Sequence, residues 1–236
     1  MIKIINNILL SNGYKLVEIE LPFDNQNISL FCPNQENQKE EYFVTIQLSF
    51  ENENDIQTFI MEKSQHIFEI ISSSGKVDAP FEKNCTMLIC HEENTITRQG
   101  ILTIEEDQYN FKKNVITYSP IELETLKEYL TENYISQITN TEINKIISGE
   151  NGKSFLTFKD NHYNTKGYYN LILKIILKLP FITYNPIEKE LTNLCIDIEN
   201  SFDQRQSLIY KQLLTSEIDW NEDSIYEQVE GIWGKL

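Results

Sequence analysis

The chain has few residues of the kinds that build metal centres or disulfide frameworks. Its 236 residues include 4 cysteines, 3 histidines, 8 glycines and 6 prolines. The cysteines are scattered, and neither C-x-x-C nor H-x-x-x-H occurs, so the paired spacings of a zinc site are missing. A chain of this length folds without cross-links. We therefore expect no metal, no cofactor and a reducing cytoplasmic location.

Long hydrophobic runs are also missing. The opening MIKIINNILLSNG has a core interrupted by Asn6 and Asn7, so it predicts a first helix ending at Gly13 rather than a leader. The other strongly apolar run, LILKIILKLP, carries Lys174 and Lys178 and is much shorter than the ~20 residues that cross a bilayer. We expect no membrane anchor, and both lysines on the one wet stripe of a buried helix.

Positive charge is scarce and unevenly placed. The chain has 20 basic and 36 acidic residues, a net charge of −16. Residues 1–110 carry 7 basic and 18 acidic side chains, residues 111–181 carry 9 and 7, and residues 182–236 carry 4 and 11. A protein of this sign repels phosphate backbones, so we expect contact with DNA only through other proteins. The acidic flanks suit a basic protein partner.

Hydrophobic periodicity indicates an α+β fold. Period-two or wholly apolar runs predict strands in YKLVEIELPF, ISLFC, YFVTIQLSF and CTMLICHE, the last of them central. Between the last two strands, helical spacing is shown by Ile56, Phe59, Ile60, His66, Ile67 and Ile70. We predict an N-terminal, mostly antiparallel sheet of about four strands with flanking helices, followed by an α-helical C-terminal half.

The second half begins at a strong helix signal. Ser119 and Glu122 form a capping box with proline at the first helical position, and Thr139 and Glu142 repeat the pattern. Further helices are predicted in the buried run above and from Pro186 onward. We divide the chain into an α/β part, 1–118, and a helical part, 119–236, packed together as one compact unit.

The apparent catalytic motifs are incomplete. SGENGKS ends like a phosphate-binding loop, but Ile147 stands where its first glycine is required and a helix precedes it. Cys85 and Cys90 with His91 lack a fourth metal ligand, and the His162 loop lacks a nucleophile. Glu82 and Lys83 lack the spacer of a nuclease motif. We therefore predict that the chain is not an enzyme.

The stretch FKKNVITYSPIELETL, residues 111–126, opens the only segment that is not acidic. With the N-terminal helix, the long amphipathic helix and the tryptophans near the end, FKKNV and TYSPIE resemble the middle component of bacterial ABC three-component (Lamassu-like) anti-phage defence systems. The resemblance implies a non-enzymatic adaptor between an SMC/Rad50-like ATPase and an effector such as a nuclease.

Seven residues are candidates for binding these partners: Phe111, Lys112, Lys113, Tyr118, Trp220, Tyr226 and Trp233. Tryptophan and tyrosine anchor interfaces, but a terminal helix packing on its own domain uses them equally well. Whether Lys112 and Lys113 contact the chain or a partner stays open at this point. Two alternatives remain: an acidic immunity or DNA-mimic inhibitor of a basic nuclease, and a degenerate nuclease.

Overall fold

A computed structural model describes residues 1–19, 28–34, 40–161, 166–184, 194–215, 226–227 and 230–231. The chain divides into two compact units, Met1–Asn185 and Pro186–Leu236. The boundary predicted at Ser119 lies inside the first unit, where the helices that follow it share a core with the sheet.

The first unit is built on one sheet of five strands in sequence order. They are β1 (Tyr14–Val17), β2 (Ile28–Pro33), β3 (Tyr42–Gln47), β4 (Cys85–Glu92) and β5 (Lys112–Tyr118). Strands β1 to β3 pair antiparallel, and β3 to β5 pair parallel. The α+β class is confirmed. The sheet is mixed rather than mostly antiparallel, and its fifth strand is the FKKNVITY segment.

The parallel half follows from its connections, because parallel neighbours require a long crossover. Strand β3 reaches β4 through α2 (Glu53–Thr58), a π-helical turn (Phe59–Lys63), α3 (Ser64–Ser73) and α4 (Phe81–Asn84). Strand β4 reaches β5 through α5 (Arg98–Glu106). Periodicity located these elements, but it carries no information on the direction in which two strands pair.

Helices cover both faces of the sheet. Helices α2 to α5 pack on one face. The other face packs against α1 (Ile2–Ser11), α6 (Pro120–Glu132), α7 (Asn140–Ile147) and α9 (Tyr168–Ile176), while α8 (Lys153–Asn161) adjoins α9. Thr45, on the polar side of the β3 pattern, is fully buried and donates to Asn6 Oδ1 at 2.7 Å.

The π-helical turn changes which residues of the long helix face the core. The sequence pattern placed His66 inward, but His66 is exposed, and Ser64, Ile67 and Ile71 are the buried residues. A π turn contains more residues than a turn of α-helix, so the residues after it are displaced around the helix axis. The apolar pattern alone fitted an uninterrupted helix and therefore missed this displacement.

The second unit contains α10 (Leu194–Ser201) and α11 (Gln204–Thr215). Asp203 and Gln206 cap the start of α11 reciprocally, with bonds of 2.8 and 2.9 Å. The Tyr210 hydroxyl donates to Glu199 at 2.9 Å and joins the two helices. The predicted binding residues Trp220 and Trp233 lie outside the described residues.

Candidate functional site

Strand β5 lies at the edge of the sheet and brings together most of the segment singled out from the sequence. Its amino end, at Lys112, pairs with Thr86 of β4, and its carboxyl end, at Tyr118, pairs with Glu92. The turn after α5 leads into the amino end, and the capping box of α6 follows the carboxyl end. The two ends are therefore separate sites with different neighbours.

At the amino end, Lys113 is buried and fully hydrogen-bonded. Its side chain is fully buried, and the strand that carries it packs against α5. The Nζ atom donates to the Asp107 carboxylate, to the Tyr109 carbonyl at 2.6 Å and to the Phe111 carbonyl at 3.4 Å. Three donors meet three acceptors, so this ammonium is satisfied within the chain.

The turn that Lys113 holds has an unusual backbone. Asn110 has φ +64°, and the Phe111 N–H donates to the Tyr109 carbonyl at 2.7 Å. A bond between residues two apart, around a residue with positive φ, defines the rare and strained form of the γ-turn. Such conformations cost about 1–3 kcal/mol and persist only where the surroundings fix them. Lys113 supplies that fixation by binding the Tyr109 and Phe111 carbonyls.

This turn exposes polar and aromatic groups beside a groove. Tyr109 is 76% exposed, and Lys112 points into solvent. The groove, of about 510 Å³, lies where β4 and β5 begin, between α4 and the end of α5. Lys83 and Lys112 line it, and no carboxylate of the described residues lies within 4.0 Å of either ammonium.

Side-chain hydrogen bonds, rather than another strand, cover part of the outer edge of β5. The Glu105 carboxylate accepts from the Val115 N–H at 2.7 Å and from Lys178 Nζ at 2.7 Å. Asn114 Nδ2 donates to the Lys178 carbonyl at 3.0 Å. Covering an edge in this way protects it from pairing with other chains. Lys178 was predicted on a wet stripe, and the structure shows it 31% exposed and paired with Glu105.

At the carboxyl end, the buried charge is an acid. Glu122 is fully buried, and it completes the predicted capping box by accepting from the Ser119 N–H at 2.9 Å. Lys174 donates to both of its oxygens at 3.0 Å, and Asn170 donates to one of them. Lys174 also lies 3.6 Å from Glu93. The sequence identified Glu122 as a cap but not as the centre of a buried ion pair.

Carboxylates of the chain occupy helix starts at this end of the sheet. Asp55 accepts from the Glu51 N–H at 2.9 Å at the start of α2, as Glu122 does at the start of α6. The carboxyl ends of parallel strands and the helix starts beside them are where α/β proteins bind anionic ligands. In this chain both helix starts already hold an internal anion.

His91, near this end, is held as a neutral imidazole. Its Nε2 accepts from the Phe50 N–H at 2.8 Å, and its Nδ1 lies 2.7 Å from the Glu92 carbonyl, which requires the proton on Nδ1. The ring stacks on Phe50 with centroids 5.2 Å apart. Burial lowers the pKa of His91 below 6.5, although the Glu92 carbonyl and charge oppose this shift.

The cysteines of β4 lie in different places. Cys85 is buried with the core under α2 to α5, and Cys90 with the core under α1 and α6. Burial raises the pKa of the Cys90 thiol to about 12. Within the described part of the chain, no cluster of three or more His, Cys, Asp or Glu is arranged to hold a metal ion.

The predicted partner-binding residues are divided between the core and the surface. Phe111, Lys113 and Tyr118 are buried, whereas Lys112 and Tyr226 are exposed. Their role in binding stays a prediction. Sequence reasoning missed Tyr109, whose signal is the polar turn DQYN between a helix and a strand, since an aromatic residue there has no core to face.

Comparison with known proteins shows that part of the chain is similar to a known family. Residues 41–146, from β3 to α7, match the family model described as ABC-three component (ABC-3C) system Middle Component 1. The resemblance to a middle component of such systems is thereby confirmed over this part of the chain. No curated protein and no solved structure matches. None of the helices in the described residues has the length and apolar character needed to cross a membrane.

Proposed function

We propose, from this match to an ABC-three component middle component, that the chain is a non-enzymatic adaptor in an anti-phage defence complex. It bridges an SMC/Rad50-like ATPase and an effector such as a nuclease. The family match over residues 41–146 carries the proposal, since a middle component implies other components. Contact with DNA is made by the assembled complex, because the chain itself has a net charge of −16.

The geometry of the first unit supports an adaptor. The helix starts of α2 and α6, which suit phosphate binding, hold the internal carboxylates Asp55 and Glu122. At each end of β5 a lysine, the buried Lys113 or the partly buried Lys174, neutralises an acid of the same chain. What remains for recognition is the outer surface, including the groove at the amino end of β5.

Co-expression with the products of the two neighbouring genes tests the proposal. We expect all three proteins to coelute in size-exclusion chromatography, and omission of this chain to separate the ATPase from the effector. The purified chain alone should neither hydrolyse ATP nor cleave DNA in the presence of Mg²⁺ or Mn²⁺. A chain that elutes alone, while the ATPase and effector associate without it, would contradict the bridging role.

The net charge of −16 favours one rival, an acidic inhibitor that mimics DNA and blocks a basic nuclease. Such an inhibitor binds the effector without the ATPase and competes with its DNA substrate. Pairwise mixing distinguishes the two functions: an inhibitor lowers the cleavage rate of the isolated effector, whereas an adaptor leaves that rate unchanged and increases recovery of the ternary complex.

A further inference from the structure

Internal contacts hold the backbone of the turn at residues 107–111 in one conformation. Lys113 is buried beneath it and binds Asp107 and two of its carbonyls, and Asn110 holds a positive φ of 64°. Removing one member of a buried ion pair is costly, but the intact pair adds little net stability compared with two apolar side chains of the same volume. The arrangement therefore restricts the conformation of the turn more than it adds to stability.

The conformation that is fixed displays Tyr109. Its side chain is 76% exposed, while its carbonyl is held by Lys113 Nζ and by the Phe111 N–H. Tyrosine is enriched among the residues that dominate binding energy, because it adds a large contact area with few rotatable bonds. A tyrosine on an immobilised backbone loses little further backbone entropy when a partner binds.

The charged residues around the groove indicate the sign of the charge that a partner must carry there. Five charged residues line it: Glu82, Lys83, Glu105, Asp107 and Lys112. Glu105 is paired with Lys178, and Asp107 with Lys113. The side chains left without an ion-pair partner among the described residues are therefore two lysines and one glutamate. In a protein with 36 acidic residues, this groove is therefore a place where a negatively charged group of a partner can bind.

We infer that the groove beside the 107–111 turn docks an acidic segment of a partner protein, with Tyr109 as the anchor and with Lys83 and Lys112 pairing with its carboxylates. The inference rests on the proposed function, since it assigns a surface to a partner of the same complex. Nucleic acid is the competing occupant, and the overall charge of −16 opposes it.

The chain offers matched controls. Tyr134 is also a tyrosine at a turn, 94% exposed and with φ +54°, but it follows α6 and is remote in sequence from the groove. Lys15 and Lys127 are exposed lysines on β1 and α6. Tyr134→Ala therefore matches Tyr109→Ala, and Lys15→Glu/Lys127→Glu matches Lys83→Glu/Lys112→Glu in charge. All four variants alter exposed side chains, and thermal melting verifies that they fold.

The experiment measures the affinity of each variant for the purified products of the neighbouring genes by biolayer interferometry at two salt concentrations. We expect Tyr109→Ala and the Lys83/Lys112 reversal each to raise Kd about 10-fold or more, and the controls to change it by less than about 2-fold. The reversal should also weaken the salt dependence, because its ion pairs are lost.

Photo-crosslinking identifies the segment. Benzoylphenylalanine at position 109 should crosslink, within the purified complex, to a peptide rich in Asp and Glu, and the same residue at position 134 should not. If wild-type complex forms but the groove variants bind as it does, the docking site is wrong and the adaptor stands. If no wild-type complex forms, both are overturned. Crosslinking to an added DNA duplex instead would overturn the acidic-peptide assignment alone.

Discussion

The two ends of strand β5 use the same kind of contact with opposite polarity. At the carboxyl end the buried partner is the acid Glu122, and its lysine is 25% exposed; at the amino end the buried partner is Lys113, and its acid Asp107 is 11% exposed. A helix start is electrically positive and receives an anion, whereas turn carbonyls are negative and receive a cation. At the carboxyl end the carboxylate occupies the helix start. At the amino end the turn above the lysine leaves Tyr109 exposed.

The largest effect is expected from Glu122→Ala. It leaves Lys174, Asn170 and the Ser119 N–H without their acceptor, and removing one member of a buried pair costs about 3–5 kcal/mol. Urea unfolding measures this loss. Glu124→Ala, two residues along α6, removes only an exposed pair with Lys127 and should cost less than about 1 kcal/mol. Equal losses for the two variants would contradict the buried role of Glu122.

Lys113→Met should have the next largest effect. Asp107 would lose its cation, but its partial exposure lets water replace some of the interaction, so we expect a loss of about 2–4 kcal/mol. Lys112→Met should change the free energy of unfolding by less than about 0.5 kcal/mol, because its side chain is exposed. Together the two variants distinguish the roles of two adjacent residues of the same type. Equal stability of both variants would contradict the internal role of Lys113.

Asn110 tests the strain of the turn. Alanine at φ +64° lacks the local hydrogen bonding that lets asparagine tolerate this region, so Asn110→Ala should destabilise by about 1 kcal/mol. Asn110→Gly should be neutral within about 0.5 kcal/mol, since glycine adopts positive φ without steric cost. Chemical denaturation of the two variants in parallel checks this order. A glycine variant less stable than the alanine variant would show that the backbone is not strained there.

The smallest effect is expected from pH, through His91. Because burial lowers its folded-state pKa below 6.5, the unfolded chain binds more protons between that lowered pKa and 6.5. The stabilising contribution of neutral His91 is thus complete above about pH 6.5 and is lost as the pH falls towards the folded pKa. In His91→Gln the difference in unfolding free energy between about pH 7.5 and pH 5 should shrink. An unchanged difference in the His91→Gln variant would contradict this assignment.

The sequence predicted the elements of the fold better than their arrangement. The capping box at Ser119 forms as predicted, and Thr139 caps α7 through its own side chain alone, because a cap depends on residues three apart. Strand β4 is an inner strand of the sheet and is buried on both faces along most of its length, as its apolar run indicated. Strand direction and the π-helical turn were missed, since both depend on how distant segments pack.

The candidate site was predictable only in part. FKKNV lies within the part of the chain that matches the family model, and the binding role of its residues stays a prediction. Local spacing cannot distinguish Lys112 from Lys113, because the acid that pairs with Lys113 lies six residues away and is brought to it by the turn. The sequence identified Glu122 as a capping residue. It did not identify the partners Lys174 and Asn170, because they come from α9, about fifty residues later in the chain.

By itself the sequence determined the class of fold, the helix starts and the excess of negative charge. It also showed the resemblance to a middle component of a multi-component system. These follow from periodicity, capping and composition, which act over a few residues or over the whole chain. The tertiary structure decided which charges are neutralised internally and which remain exposed. Pairing of charges requires contact within about 4 Å, and only folding brings Asp107 to Lys113 and Glu122 to Lys174.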